Sequence, residues 1–422
     1  MKGYEQIKHQ DADAYKALYG EIQRQAEGLE LIPSENYVSE AVLEAAGSVF
    51  TNKYSEGYPG KRYYGGQEFT DQIESLAIER AKELFNCRFA NVQPHSGSNA
   101  NLAMYFALLE PGDTVLGMDL SHGGHLTHGH PVTSITKFFN FVRYKMKDTE
   151  TGEIDFDELR AVALEHKPKI ILAGFSAYSR ELNYGKFVEI AQEVGAITVA
   201  DVAHIAGLIA GKAALNPFDF GFDVMTMTTH KSLRGPRGGM IVVREDEVLA
   251  KKIDKSVFPG FQGGPLMQQV AAKAVCFHEA LQPSFETYAK QIIKNAKAMA
   301  EVFTDGGVRL IGGGTDNHLI LADVFGSLGV TGKRAQEVLD EVGITLNMNM
   351  IPDDPRKALD PSGIRFGTPA LTTRGFDEVS CAEVARLMLE VLRDSDNEEV
   401  KEKVKARVQK LADENPIPKS FI

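Results

Sequence analysis

Asp223-Val224-Met225-Thr226-Met227-Thr228-Thr229-His230-Lys231-Ser232-Leu233-Arg234-Gly235-Pro236 is the stretch whose reading decides the fold. An apolar, β-prone run ends in hydroxyls, a histidine and one lysine. Gly235, Pro236, Gly238 and Gly239 then break regular structure before a second strand-like run, Met240-Ile241-Val242-Val243. A lysine just past a buried strand sits where an open α/β sheet places its ligands, outside the carboxyl ends of the strands. Lysine is also the side chain that forms Schiff bases with carbonyl compounds. Position alone does not separate that role from a solvated loop lysine.

A second run resolves the choice. Ala196-Ile197-Thr198-Val199-Ala200-Asp201 follows Gly195 and delivers Asp201 at its far end, 30 residues before Lys231, about one βαβ unit. A pyridoxal phosphate (PLP) site needs a lysine for the aldehyde and a carboxylate for the pyridine nitrogen, so that the protonated ring can accept electrons. An aspartate at a strand end also caps helices, but with Lys231 in step the cofactor reading is the better one.

Composition sets the outer bounds. At 422 residues, two domains are expected. Hydrophobic residues at 43% and charged residues at 25% are ordinary for a soluble globular chain. A net charge of −12 argues against nucleic acid as a main partner, because phosphate backbones need a basic face. Cys87, Cys276 and Cys381 are widely spaced and offer neither a disulfide framework nor a zinc site, which fits a reducing cytosol. The opening Met1-Lys2-Gly3-Tyr4-Glu5 has no apolar signal core, and no run of about 18 apolar residues occurs, so neither a leader nor a membrane span is expected. The expected location is the cytoplasm.

Strand-like runs at 114–119, 169–173, 196–200, 223–228 and 239–243 alternate with helical stretches, which predicts a mostly parallel α/β sheet. Residues 11–29 read as an amphipathic helix and Thr70 to Phe85 as another. One long helix is expected over about 266–303. Beyond 308 the pattern turns α+β, with strands at 308–311, 318–324, 344–350 and 364–366 and helices at 332–342, 378–393 and 397–413. The expected organisation is an N-terminal helical arm (1–30), a large α/β domain (31–278) and a smaller C-terminal α+β domain (279–422).

Four further segments carry chemistry. Asn52 to Gly66 holds four tyrosines, four glycines and a proline, a density that predicts a loop, and one aromatic enough to bind a ligand or seal an interface. Ser96-Gly97-Ser98 precedes a helical run (Ala100 to Leu109) and offers backbone N–H groups and a positive dipole end to a phosphate; an ordinary N-cap looks the same. His122, His125, His128 and His130 fall within nine residues. Zinc histidines usually keep fixed helical offsets, and this glycine-rich loop is not expected to be helical, so no metal site is assigned. Arg365 lies between Gly363, Gly367 and Pro369, either as a surface charge or as a carboxylate fork.

Taken together, Thr-Thr-His-Lys-Ser-Leu-Arg-Gly-Pro-Arg-Gly-Gly (228–239), Asp-Val-Ala-His-Ile-Ala-Gly (201–207), Leu31-Ile32-Pro33-Ser34-Glu35-Asn36 and Gly363-Ile364-Arg365-Phe366-Gly367-Thr368-Pro369 resemble the serine (glycine) hydroxymethyltransferase family of fold-type I PLP enzymes. The match covers nearly the whole chain. It implies interconversion of serine and glycine with transfer of the one-carbon unit to tetrahydrofolate, PLP held covalently on Lys231, and a homodimer whose sites are shared between subunits.

The same resemblance assigns residues. Asp201 meets the pyridine nitrogen and His125 stacks on the ring. Ser96, Gly97, Ser98 and His230 hold the phosphate, with Tyr54 and the backbone of Gly264 reaching it across the dimer. Ser176 and His204 stand near the ring oxygen, and Thr228 and Arg237 beside the lysine. Ser34, Tyr54, Glu56, Tyr64 and Arg365 take the amino acid, with Glu56 as acid/base. Glu56, Tyr63, Leu120, Gly124, Leu126 and Asn349 line the folate. The chain departs from the usual pattern at Met225, Met227, Asn99, Gln268 and Met348. These leave the folate contacts and the preferred amino acid open. An α-methylserine hydroxymethyltransferase, or a folate-independent threonine-type aldolase, remains the alternative; an RNA-binding role is disfavoured by the charge.

Overall fold

The protein is described from a computed structural model covering residues 4–418. Met1, Lys2 and Gly3 of the polar N-terminal stretch lie outside the described residues. The chain divides into two compact units, residues 41–290 and residues 1–40 with 291–422.

The first unit is built on a seven-stranded sheet. Its order is Phe89–Asn91, Gly239–Val243, Val224–Thr228, Ile197–Asp201, Ile170–Gly174, Thr114–Met118 and Asn140–Tyr144. The last five run parallel, and Gly239–Val243 lies antiparallel to both its neighbours. The fold is therefore that of a fold-type I α/β protein with a mainly parallel central sheet. Ile170–Gly174, between two parallel neighbours, and Val224–Thr228, between a parallel and an antiparallel one, are buried at every position, as strands inside a sheet covered on both faces require. Each fully buried Ile, Leu or Val in these strands is worth about 1.5–3 kcal/mol of transfer free energy.

Period-two alternation in Val224–Thr228 places Met225 and Met227 on one face and Thr226 and Thr228 on the other. The hydroxyls are spent on the chain itself: Thr226 Oγ1 donates to Asn101 Oδ1 (2.6 Å) and Thr228 Oγ1 to the Ala203 carbonyl (3.2 Å). Both methionines have no exposed surface. The departures at 225 and 227 thus belong to core packing.

Because the strands are parallel, their carboxyl ends share one edge. Asp201 pairs in register with Gly174 on one side and Thr226 on the other. At Gly174 a Cβ would sit 2.5 Å from the Asp201 carbonyl, so only glycine lets the neighbouring strands close there.

In the second unit, Arg309–Leu310, Leu319–Asp323, Gly363–Gly367 and Asn347–Asn349 form an antiparallel sheet. Its core draws Ile320, Ala322, Ile364 and Phe366 from the sheet against Val338, Leu339, Val384, Met388 and Val404 of the helices Gly332–Glu341, Glu378–Arg393 and Glu398–Glu414. Leu29–Glu30 pairs parallel with Ile344–Thr345, which is why the first 40 residues group with this unit.

The helix read at 11–29 is Ala12–Glu27, and a short helix that was not expected, Glu5–Gln10, precedes it, with Asp11 between them accepting from the Ala14 N–H at 2.9 Å. Three local expectations need correction. The long helix at 266–303 is two, Met267–Ala280 and Pro283–Asp305: proline suits the first turn of the second helix but not the interior of one long one. The run at 344–350 splits into two strands that belong to different sheets. The loop at 52–66 contains a two-residue hairpin, Gly57–Tyr58 with Lys61–Arg62. Among the described residues no helix is long and apolar enough to cross a membrane.

Candidate active site

Asp201 anchors the first group of site residues. Its side chain is buried, and three donors converge on it: His128 Nε2 (2.9 Å) and Asn101 Nδ2 (2.8 Å) at Oδ2, and the Ala203 N–H (3.1 Å) at Oδ1. Burial works to raise its pKa, but the His128 hydrogen bond, the neighbouring imidazoles and Asn101 outweigh it and hold the carboxyl well below the usual range. The tautomer of His128 follows from geometry. Its Nδ1 accepts the His125 N–H at 3.1 Å, so Nε2 carries the proton given to Asp201.

His125, His128 and Asp201 present ligand atoms within 4.8 Å of one another, the spacing of a metal site. A metal there would have to displace the Nε2 proton of His128 that already serves Asp201. His122 and His130 are turned to other work: their Nδ1 atoms accept the backbone N–H groups of Met146 (3.2 Å) and Val132 (3.4 Å). The segment read as irregular here holds two short 3-10 turns, Leu120–His122 and Leu126–His128, which set His125 between them. His125 Nδ1 accepts the Thr127 N–H (3.2 Å) and pairs with Thr127 Oγ1 (2.7 Å), fixing the ring. Ser176 Oγ donates to the Gly124 carbonyl at 2.8 Å, joining the end of Ile170–Gly174 to this segment. At Gly124 a Cβ would meet the Met118 carbonyl at 2.3 Å, so the turn tolerates no side chain there.

Lys231 follows Thr228 by three residues and is 9% exposed, unusual for a lysine outside a functional site. Beside it, burial, with the charges of Arg237 and Lys231, lowers the His230 pKa to about 3, so that imidazole is neutral at pH 7. Arg237 itself is exposed. His204 is buried, and its carbonyl accepts Ser232 Oγ at 2.7 Å.

Ser96 caps the 12-residue helix Gly97–Leu108, accepting the Asn99 N–H at 3.2 Å. A Cβ on Gly97 would lie 2.7 Å from Thr228 Cγ2, and one on Gly239 2.2 Å from the Ser96 carbonyl. Backbone and strand end are therefore packed as closely as glycine permits, leaving a helix N-terminus beside the Lys231 turn.

A second group forms within the same unit. Tyr54 OH donates to Glu56 Oε1 at 3.3 Å, and the Tyr54 and Tyr64 rings meet edge-on at 5.4 Å. Positions of a hypothetical Cβ on Gly263 and Gly264 fall 3.5 Å from Glu56 Oε1 and 3.0 Å from Tyr54 Cζ. Tyr63 is 73% exposed and packs on Phe258 at 5.7 Å.

In the other unit, Arg365 Nε donates to Asn347 Oδ1 at 3.1 Å. Burial brings the Arg365 pKa down to about 10, which leaves it charged at pH 7. The Gly367 N–H donates to the Leu31 carbonyl at 2.8 Å, so the segment carrying Ser34 lies along the end of the strand carrying Arg365. Asn349 pairs in register with Gly363.

The family model described as Serine hydroxymethyltransferase matches residues 7–388 of this chain. The chain belongs to that family. Its members are PLP-dependent hydroxymethyltransferases that act on serine and glycine and in general use folate. The residues here suit that cofactor: a carboxylate takes about four donors, and Asp201 has three, leaving capacity for a protonated pyridine nitrogen.

Reasoning from sequence missed Asn101, Thr127, Thr226 and the role of His128. A lone asparagine inside a helix carries no pattern. His128 stood in view as one of four histidines, but only the folded chain shows which of them meets Asp201.

Proposed function

We propose that the protein is a serine hydroxymethyltransferase that converts serine and tetrahydrofolate reversibly to glycine and the methylene-carrying folate, acting in the cytoplasm as a homodimer with shared sites. The observation that carries this reading is the ionised, buried Asp201, one strand away from a strand end that leads into a buried lysine.

Lys231 holds the cofactor aldehyde. When bound, PLP supplies the electron sink for the bond broken at the substrate Cα. Asp201, kept charged by His128 and Asn101, favours the protonated form of the ring nitrogen. His125, locked by Thr127, would stack on the ring, and Ser176, His204, Thr228 and Arg237 would hold the ring oxygen and the lysine. The free N–H groups at Ser96, Gly97 and Ser98 and the neutral His230 take the phosphate, joined by Tyr54 and Gly264 from the partner subunit. Arg365 and Ser34 orient the substrate carboxylate through charge-assisted hydrogen bonds. Glu56 moves a proton at the substrate hydroxyl, with Tyr54 and Tyr64 beside it. Tyr63, Leu120, Gly124, Leu126 and Asn349 receive the folate.

The test is a serine-to-glycine assay with and without tetrahydrofolate, run beside α-methylserine and threonine. Folate-dependent serine turnover that exceeds both rivals is expected. Faster folate-dependent turnover of α-methylserine, or folate-independent cleavage of threonine as the main activity, would replace this reading with one of the alternatives.

A further inference from the structure

The loop bearing Tyr54 and Glu56 is neither helix nor sheet for most of its length, yet its backbone is held at every carbonyl from Tyr54 to Gly57. Gln67 Nε2 donates to the Tyr54 carbonyl (3.0 Å) and Arg62 Nη1 to those of Ser55 (3.0 Å) and Gly57 (2.9 Å). The Tyr63 N–H takes the Glu56 carbonyl at 3.2 Å, and Gln93 Nε2 adds a second bond to Gly57 at 2.9 Å.

Two of these clamps end on one carboxylate. Arg62 Nη2 pairs with Glu74 Oε2, and Gln93 Nε2 donates to Glu74 Oε1 at 2.7 Å. Glu74 sits in the helix Glu68–Phe85 and has no exposed surface. The Gln93 amide has one orientation compatible with this site. A flipped amide would set its carbonyl against both the Glu74 carboxylate and the Gly57 carbonyl. Arg62 has a second anchor, Asp71 at 2.8 Å, but Asp71 is more open to water than Glu74. Its hold is correspondingly weaker.

We propose that Glu74 is a positioning residue: through Arg62 and Gln93 it fixes the backbone of Tyr54–Gly57 in the shape that presents Tyr54 and Glu56 to the partner subunit's substrate. This rests on the reading above, in which the loop serves the neighbouring site. A buried ion pair placed only for cohesion predicts damage confined to its own subunit. A loop anchor predicts damage to the site the loop reaches.

The experiment uses Glu74→Gln, which removes the charge and keeps the shape, in PLP-loaded dimers. As a homodimer it loses about 100-fold in kcat, the scale set by ångström-level misplacement of a catalytic group. Co-expressed with Lys231→Ala under separate tags, it recovers serine turnover in the hybrid, where a sound loop faces a sound lysine. Hybrids of Glu56→Gln with Lys231→Ala are the control. In the apoprotein, amide hydrogen exchange over 54–64 accelerates in Glu74→Gln while 76–85 keeps its protection.

Wild-type kcat in the homodimer overturns the proposal. So does an unrescued Glu74→Gln hybrid beside a rescued Glu56→Gln one. If the control hybrid itself stays inactive, the shared-site reading has failed, and Glu74 is judged by exchange alone: unchanged protection over 54–64 overturns its role. Should Glu74→Gln not fold, Arg62→Lys, which keeps a charge and loses the fork, carries the same tests.

Discussion

His128 Nε2 stands 2.9 Å from Asp201 Oδ2, while its other ring nitrogen accepts the backbone of His125. One imidazole thus positions the residue expected to stack on the cofactor and charges the residue expected to meet its nitrogen. Asp201→Asn keeps the shape and loses the charge. Its kcat is expected to fall about 10²–10³-fold, the range for a removed electrostatic stabiliser, with PLP still bound by absorbance. A variant within a few-fold of wild type would show that Asp201 does not act on the ring nitrogen.

Arg365 remains charged although burial draws its pKa down to about 10. Arg365→Lys retains a cation and loses the planar fork. A hydrogen bond to a charged group is worth about 1.5–3 kcal/mol, so KM for serine is expected to rise about 10- to 100-fold. Titrating serine into the PLP-loaded variant measures this directly, and an unmoved KM removes Arg365 from the carboxylate site.

Glu30 is the titratable oddity of the segment leading to Ser34. Burial, then the charge of Glu35, raises its pKa from 4.5 to about 8, against opposing help from the Ile32 N–H and Arg24. The folded state therefore holds a proton that the unfolded chain releases above pH 4.5. Its contribution to stability is full at low pH and declines as pH rises through about 8. Glu30→Gln should flatten that decline, gaining on wild type between pH 5 and pH 8 in urea melts. Parallel curves for the two proteins would refute the shift.

Lys273 is fully buried and donates to the carbonyls of Val92 (2.6 Å), Pro94 (3.1 Å) and Gly239 (2.8 Å), pinning the approach to Ser96 against the strand after the Lys231 turn. Burial lowers its pKa from 10.5 to about 7, with Glu74 pulling the other way. The unfolded chain then binds the extra proton between those values, so this group makes stability climb with pH across that window. Lys273→Met should lose the climb and cost roughly 1–3 kcal/mol for each carbonyl left without a partner. Unfolding at pH 7 and pH 10 tests both statements, and an equally steep climb in the variant contradicts the assignment.

Much of the large unit was legible because its strands are buried on both sides and read as short apolar runs with chemistry at one end: Ile170–Gly174, Ile197–Asp201 and Val224–Thr228 all lie within a residue of their expected bounds. Lys231 and Asp201 could be paired on paper because parallel strands one crossover apart end at the same edge. What stayed hidden was carried by tertiary contact. Nothing in the order of residues says that His128, not His122 or His130, turns toward Asp201, or that Asn101 bridges Asp201 and Thr226. The Glu74 clamp was equally silent, since a glutamate in an amphipathic helix reads as a solvated face until it proves to have no exposed surface.

The pleat of Val224–Thr228 divides labour within five residues. Thioethers fill one side and hydroxyls tie down the other, so methylenes can be traded at 225 and 227 without disturbing a hydrogen bond of Thr226 or Thr228. For anyone remodelling this enzyme, that makes the rear of the strand a dial for rigidity that turns independently of the chemistry in front.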